Sequence, residues 1–339
     1  MDRRDRGRPE GAPQDRSRAT DTVVSVVIPV LNEERHLRDA VSMVLAQDWP
    51  GRLQVVLAVG PSTDRTAEIA AGLAAADDRV LVVDNPTGRT PDALNAAIAA
   101  ADGDVVVRVD GHAEIPADYV ATAVRTLEET GADNVGGIMD AQGITAFQRA
   151  VAVAMRSPVG VGSSRFHVGG EAGPADTVYL GAFRRTALAR VGGYDRRYAR
   201  AQDWEMNHRI RQSGGLVWFT PQMRVTYRPR STVKALAKQY FLYGRWRRVV
   251  ARSHPGTINA RYLAAPAMVV GVGGSTLVGL FWTPALAVPT AYALATAGAG
   301  LAISRDEDWS VRARMPGVLA VMHWAWGLGF ISSPRSLPR

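Results

Sequence analysis

The sequence predicts an α/β fold with a mostly parallel sheet, followed by transmembrane helices toward the C-terminal end. Three observations carry that expectation. β-branched runs alternate with apolar residues at helical spacing from Val23 to Val109, the pattern of βαβ units with right-handed crossovers. The run Val105–Val109 ends in Asp110-Gly111-His112, where an open parallel sheet presents side chains to a ligand. No charged residue lies between Arg261 and Arg305, which leaves room for two spans of about 20 residues each.

Residues 1–21 are rich in Arg, Asp, Gly and Pro and lack an apolar block, so they read as a disordered tail and not a signal peptide. Val23–Pro29 is the first buried strand, and Leu37, Val41, Val44 and Leu45 mark the first helix. Leu53–Val59 is the second strand. The loop Gly60–Thr66 follows, where Ser62, Thr63 or Asp64 can cap a helix over Ala67–Ala76. Val80–Val83 is the third strand, and a loop with Asn85, Gly88 and Arg89 leads to a helix over Pro91–Ala101. Val105–Val109 is the fourth strand, its Val run suited to burial on both faces. The chain has no G-x-G-x-x-G after the first strand and no G-K-[ST], so a dinucleotide fold and a P-loop are poorly supported.

Beyond this point the spacing predicts a helix over Tyr119–Glu129, a strand over Val135–Ile138 and a Gly- and Ser-rich mobile loop over 156–177. Thr177–Phe183 reads as a strand, followed by a short helix. Ala201–Ile210 reads as the start of another, with Asp203 in the first turn, where the helix dipole favours its negative form. Asp110 and His112 are two apart near a strand end. That spacing points both side chains one way and lets a carboxylate and an imidazole hold a divalent cation.

Composition narrows the class. Forty Lys and Arg against 32 Asp and Glu give a formal charge of +8, which calls for an anionic partner. No Asp or Glu occurs between Glu205 and Asp306, while Arg and Lys recur from Arg209 to Arg261, directly before the uncharged segment. That arrangement favours a cytoplasmic membrane surface over nucleic acid. With no cysteine, disulfides, thiolate zinc sites and cysteine nucleophiles are excluded.

The uncharged segment divides into Tyr262–Phe281 and Ala285–Ile303, with Trp282-Thr283-Pro284 as a turn. Met315–Ser332 is a third apolar stretch, either a span or a re-entrant segment. Before the spans, Val233, Leu236, Tyr240 and Tyr243 fall at helical spacing among Lys234, Lys238, Arg245, Arg247 and Arg248. That pattern reads as an amphipathic helix lying on anionic lipid. The expected organisation is a tail over 1–21, a catalytic domain over 22–230, an interfacial helix region over 231–260 and a membrane domain over 261–339.

Val23–Asn32, the Ser62–Thr66 loop, Asp110-Gly111-His112, Leu180–Phe183 and Gln202-Asp203 fall in the order seen in family 2 glycosyltransferases, inverting enzymes of the GT-A fold. The chain resembles that family over about residues 23–250. Arg108–Ala113 and Gln239–Trp246 look most like membrane-bound glucosyltransferases of succinoglycan-type exopolysaccharide assembly. The resemblance implies that Pro29, Asn32 and Glu33 line a nucleotide pocket. It implies that Asp64 contacts the uracil-ribose end, with Asn85 and Arg89 beside it. Asp110 would take the donor diphosphate through Mg²⁺ or Mn²⁺, with His112 in place of the family's usual second Asp, and Asp203 would be the general base. Gln202 stands where an acidic residue commonly precedes that base.

The implied activity is transfer of a hexose from a nucleotide sugar, UDP-glucose or similar, to a polyprenyl-linked or other membrane-associated saccharide. The implied location is the cell membrane, as a multi-pass protein with a cytoplasmic catalytic domain. Two alternatives stay open. One is a processive polysaccharide synthase, opposed by the lack of Q-x-x-R-W and by the few spans. The other is a catalytically silent scaffold at the membrane.

Overall fold

A computed structural model describes residues 21–335; apart from Asp21, the expected tail lies outside them. Eight strands form one sheet: β1 (Val24–Val30), β2 (Leu53–Val59), β3 (Val80–Asp84), β4 (Val105–Arg108), β5 (Asn134–Ala141), β6 (Gly173–Pro174), β7 (Tyr179–Arg184) and β8 (Val217–Tyr227). Their order is β3-β2-β1-β4-β7-β5-β8-β6. β1 runs parallel to β2 and β4, β2 to β3, and β5 to β8, whereas β7 is antiparallel to both its neighbours. The sheet is therefore mixed and mostly parallel.

Alternation along the strands feeds two apolar layers. Val26, Ile28, Val55, Leu57 and Val107 face the helices Leu37–Leu45, Thr66–Ala76 and Tyr119–Thr130. Val27, Val56, Ala58 and Val106 face Thr90–Ala100, Arg185–Val191 and Gln202–Gln212. Period-two burial on two faces is what long Val and Ile runs require.

β8 was not foreseen. Its register on β5 slips between Gly136–Phe219 and Ile138–Arg224, so Thr220–Met223, including Pro221, bulge out of the ladder. A proline inside a strand is tolerated at such a bulge. Gly137 faces it, and a Cβ there would fall 1.8 Å from the Met223 carbonyl oxygen. The expected 156–177 loop holds two short helices, Pro158–Val161 and Arg165–Val168, and ends in β6.

The C-terminal part begins with a helix over Val233–Ser253, capped by the Thr232 hydroxyl, which accepts from the Ala235 amide at 3.2 Å. Two helices long and apolar enough to cross a membrane follow, Ala260–Gly279 and Thr283–Ile303. They form a hairpin with Leu277, Phe281 and Leu294 exposed, Phe281 at 93%. The third apolar stretch forms a helix over Met315–Ile331 that turns back onto the sheet domain. Met315, Leu319 and Met322 bury against Leu236 and Tyr240 and against Ala150 and Val151 of the Ala146–Met155 helix.

The Val233–Ser253 and Met315–Ile331 helices meet backbone to backbone. A Cβ on Gly244 would lie 1.9 Å from the Trp326 carbonyl oxygen, and one on Gly329 the same distance from that of Phe241. Arg248 Nη1 donates to the carbonyls of Phe330 and Ile331 at 2.9 and 2.8 Å, satisfying the free end of the helix. Arg247 is buried, with its guanidinium between the rings of Trp204 and Tyr262. Two of the basic residues expected around an interfacial helix are thus engaged by protein. Where the chain leaves the hairpin, Arg149 donates to Glu307 at 2.8 Å and to Asp308 at 2.9 Å.

Candidate active site

The loops after β1 and β2 are tied together by side chains. Asn32, at φ 56°, accepts the Thr63 amide on Oδ1 at 2.8 Å, and its own amide donates to the Ser62 hydroxyl at 3.1 Å. Asp64 Oδ1 accepts from the Thr66 amide at 3.0 Å and from the Thr66 hydroxyl, while its Oδ2 accepts from the Glu34 amide at 3.2 Å. The Thr66 hydroxyl hydrogen bond leads the causes that hold the Asp64 carboxyl below the usual range. The Glu33 amide donates to Thr66 Oγ1 at 2.7 Å. Asn85 is buried after β3 and donates to the Arg89 carbonyl at 3.3 Å, and Arg89 donates to the Arg196 carbonyl at 2.6 Å. Pro29 lies in β1 beyond the last β1–β4 pair, Val27–Arg108.

The Asp110-Gly111-His112 segment is a turn, not an extended strand end. β4 stops at Arg108, and the Ala113 amide donates to the Asp110 carbonyl at 2.9 Å. The two side chains take different hydrogen-bond partners. His112 Nδ1 lies 2.7 Å from Glu33 Oε1, a hydrogen bond that leads the causes raising the imidazole pKa against the opposing effect of burial. A Cβ on Gly111 would come within 3.2 Å of Glu33 Cγ, so the glycine makes room for that carboxylate. Asp110 turns to Arg108, accepting on Oδ1 from Nη2 at 3.0 Å and from Nε at 3.1 Å.

Arg108 also donates from Nη1 to Asp203, in the first turn of the Gln202–Gln212 helix. One guanidinium, 5% exposed, therefore holds both acidic residues expected to carry the chemistry. Burial opposes its charge, and the fields of Asp110 and Asp203 outweigh that and raise its pKa. Burial pushes the Asp203 carboxyl up, Arg108 draws it down, and Asp110 pushes it up again. Behind Asp203, buried Glu205 pairs with Arg209 at 2.7 Å and Asn207 joins Asn134 at 2.6 Å, fixing the helix on β5.

The structure thus brings Asn32, Glu33, Asp64, Asn85, Arg89, Asp110, His112 and Asp203 around the carboxyl ends of β1–β4. Arg108 was missed as a functional residue. Its signal was a lone arginine closing a buried Val run, since a charge there needs partners. Among the described residues, no three His, Cys, Asp or Glu side chains converge as a metal cage.

The family model described as Glycosyl transferase family 2 matches residues 25–192. The succinoglycan biosynthesis protein ExoA of Rhizobium meliloti (strain 1021) is 33% identical over 315 residues, 92% of this chain and 94% of that protein. The chain is a family 2 glycosyltransferase. A second relative of the transferase comes from Methanococcus voltae: a dolichyl N-acetyl-alpha-D-glucosaminyl phosphate 3-beta-D-2,3-diacetamido-2,3-dideoxy-beta-D-glucuronosyltransferase. It is 25% identical over 230 residues, 65% of this chain and 71% of its own. Among solved structures, the mannosyltransferase PcManGT of Pyrobaculum calidifontis, in complex with GDP-Man and Mn²⁺, superposes with a TM-score of 0.57. The match has 20% identity and covers 89% of this chain and 86% of that one. Residues 1–349 of S. aureus TarS give a TM-score of 0.51 at 17% identity, covering 91% and 90%. The transferase has the GT-A fold.

Proposed function

We propose that the transferase moves a hexose from a nucleotide diphosphate sugar, UDP-glucose or a close analogue, to a lipid-linked saccharide at a membrane surface, inverting the anomeric centre. The product would feed exopolysaccharide assembly. The observation that carries this reading is the Arg108 bridge, which gathers Asp110 at the end of β4 and Asp203 at a helix start into one charged site. Asp203 is the general base: it takes the proton of the acceptor hydroxyl as that oxygen bonds to C1 and the C1–diphosphate bond breaks. Attack from the face opposite the leaving group turns an α-linked donor into a β-linkage. Asn32, Glu33, Asp64, Asn85, Arg89 and Pro29 would frame the nucleotide on the β1–β3 side.

Asp110 and His112 would hold Mg²⁺ or Mn²⁺. Two protein ligands suit a cation that takes the rest of its shell from phosphate and water. The Glu33 contact fits as well, because a carboxylate on Nδ1 leaves Nε2 free for a metal. When bound, the cation supplies positive charge to the departing diphosphate. The Pyrobaculum neighbour, solved with GDP-Man and Mn²⁺, supports this choice.

The exposed apolar hairpin supports a membrane anchor, with Arg261 and Arg305 flanking it and marking the cytoplasmic side. The Rhizobium relative's name supports the exopolysaccharide role, and the dolichyl phosphate-linked acceptor in the Methanococcus relative's name supports a lipid-linked substrate. The test is nucleotide release by purified protein in detergent, offered UDP-, GDP- and dTDP-sugars with Mn²⁺, Mg²⁺ or EDTA. Metal-dependent release of UDP from one sugar is expected. The absence of both nucleotide release and metal-dependent nucleotide binding would overturn the reading.

A further inference from the structure

Where β8 meets the Val233–Ser253 helix lies a buried polar group that the transfer chemistry leaves unused. Gln239, on the Val233–Ser253 helix, is 8% exposed, and its Nε2 donates to the hydroxyls of Tyr227 at 2.7 Å and Tyr243 at 2.9 Å. Its Oε1 is buried with no partner among the described residues. Turning the amide over does not remove the deficit. Oε1 would then accept from both phenols, and the amide protons would be the ones left over. A buried amide with one idle end is costly unless something else uses it. In the orientation found, each phenol oxygen already accepts, so each O–H remains available to donate.

The sheet puts this group on the acceptor's side of the site. Its order sets the loops of β1, β2 and β3, with Asn32, Asp64 and Asn85, to one side of β4, and β7, β5 and β8 to the other. Tyr179 opens β7 and, like Tyr227, packs against the cluster that holds Leu236 and Tyr240, where its phenol feels the charge of Asp110. Tyr179 stacks on Phe166, with ring centroids 6.5 Å apart and an interplanar angle of 13°. Tyr227 closes β8, and the Thr226 amide before it donates at 2.9 Å to the carbonyl of Glu114, four residues beyond Asp110. Tyr243, 37% exposed, packs on Tyr240 at 5.6 Å. Phenol rings, free O–H donors and an amide match a polyhydroxylated ring, whose C–H faces lie on aromatics and whose hydroxyls pair with polar tips.

We infer that Tyr179, Tyr227, Gln239 and Tyr243 form a subsite for a sugar ring of the acceptor, holding it with a hydroxyl toward Asp203. The inference rests on the transferase reading above. Saturation-transfer NMR on the full chain tests it, with UDP and Mn²⁺ present and glucose, galactose, N-acetylglucosamine and their β-linked disaccharides as probes. The detergent must carry no sugar head group, since such a head group would compete. The expected result is transfer to UDP and to at least one saccharide. The saccharide-to-UDP ratio should fall about fivefold in Gln239→Leu and in Tyr227→Phe, as loss of one hydrogen bond implies. Should Gln239→Leu fail to fold, Tyr243→Phe, on the partly exposed ring, carries the same comparison. Transfer to UDP but to no saccharide, or an unchanged ratio in the variants, overturns the subsite and leaves the transferase reading standing. Transfer to neither overturns both.

Discussion

Asp110 and Asp203, 93 positions apart in the chain, end on the same guanidinium, that of Arg108. Each carboxylate forms an ion pair with that guanidinium. Replacing Arg108 by Leu strands two acids in a half-buried site, and removing one partner of a buried pair costs on the order of 3–5 kcal/mol. Arg108→Lys keeps the charge but cannot fork to two acceptors. We expect Arg108→Leu to lower the unfolding midpoint sharply. Arg108→Lys should unfold near the wild-type midpoint yet lose most transfer, and near-normal turnover in the lysine variant would show that the fork is dispensable.

Asp203→Asn should cut transfer about 10²–10⁴-fold, the usual contribution of a general base, while UDP still binds. In the parent protein the acid limb of kcat/KM should lie above the ordinary aspartate range, because burial leads the causes that raise this carboxyl. The stability linked to the same group runs the other way. A raised folded-state pKa favours the protonated form, so this contribution is full below the ordinary aspartate pKa and is lost as pH rises through the raised value. Paired profiles of kcat/KM and melting temperature against pH would expose the opposition, and the asparagine variant should flatten both.

Glu33 braces His112, and its removal should be felt at the metal. A carboxylate on the second nitrogen of a ligating imidazole is worth about 10–100-fold in metal affinity. Titrating Mn²⁺ into the UDP complex should show a loss of that size for Glu33→Ala, and EDTA should abolish UDP binding until Mn²⁺ is restored. Equal Mn²⁺ affinity in Glu33→Ala and the parent would place His112 outside the coordination shell.

Gly329→Ala adds a carbon 1.9 Å from the Phe241 carbonyl oxygen, where only a backbone shift can relieve the clash. Overpacking of this kind costs about 1–3 kcal/mol, so the variant should unfold earlier. Gly317→Ala on the same helix meets nothing within 4 Å of its new carbon and should leave the midpoint unchanged or higher. Equal midpoints for the two would mean that the helices are not in backbone contact.

Much of this was readable in the chain because local pattern and tertiary role agree. Leu53–Val59 forms the strand its run of branched residues predicts, and Asp203 sits in the first turn of a helix as its surroundings imply. β8 escaped notice because Pro221 interrupts it, and only the bulge opposite Gly137 makes that proline acceptable. The pairing of Asp110 and His112 with separate partners was equally hidden. It depends on Glu33 and Arg108, which approach from a different loop and from within the strand itself. The third apolar stretch could not be assigned from hydropathy, since lipid and a glycine-notched helix select the same residues.

The return of the Met315–Ile331 helix onto Val233–Ser253 also sets an order of events during synthesis. A ribosome exposes the Val233–Ser253 helix long before residue 315 exists, so Leu236, Gly244 and Tyr240 wait without their partner while the apolar hairpin emerges. The last piece of the catalytic body is then made after the apolar hairpin. With the hairpin as the anchor proposed above, its early delivery to a bilayer would fix the nascent catalytic body at the lipid surface before its final strut arrives. A chain stopped shortly after residue 304 would carry every acidic residue of the site on a body that cannot close.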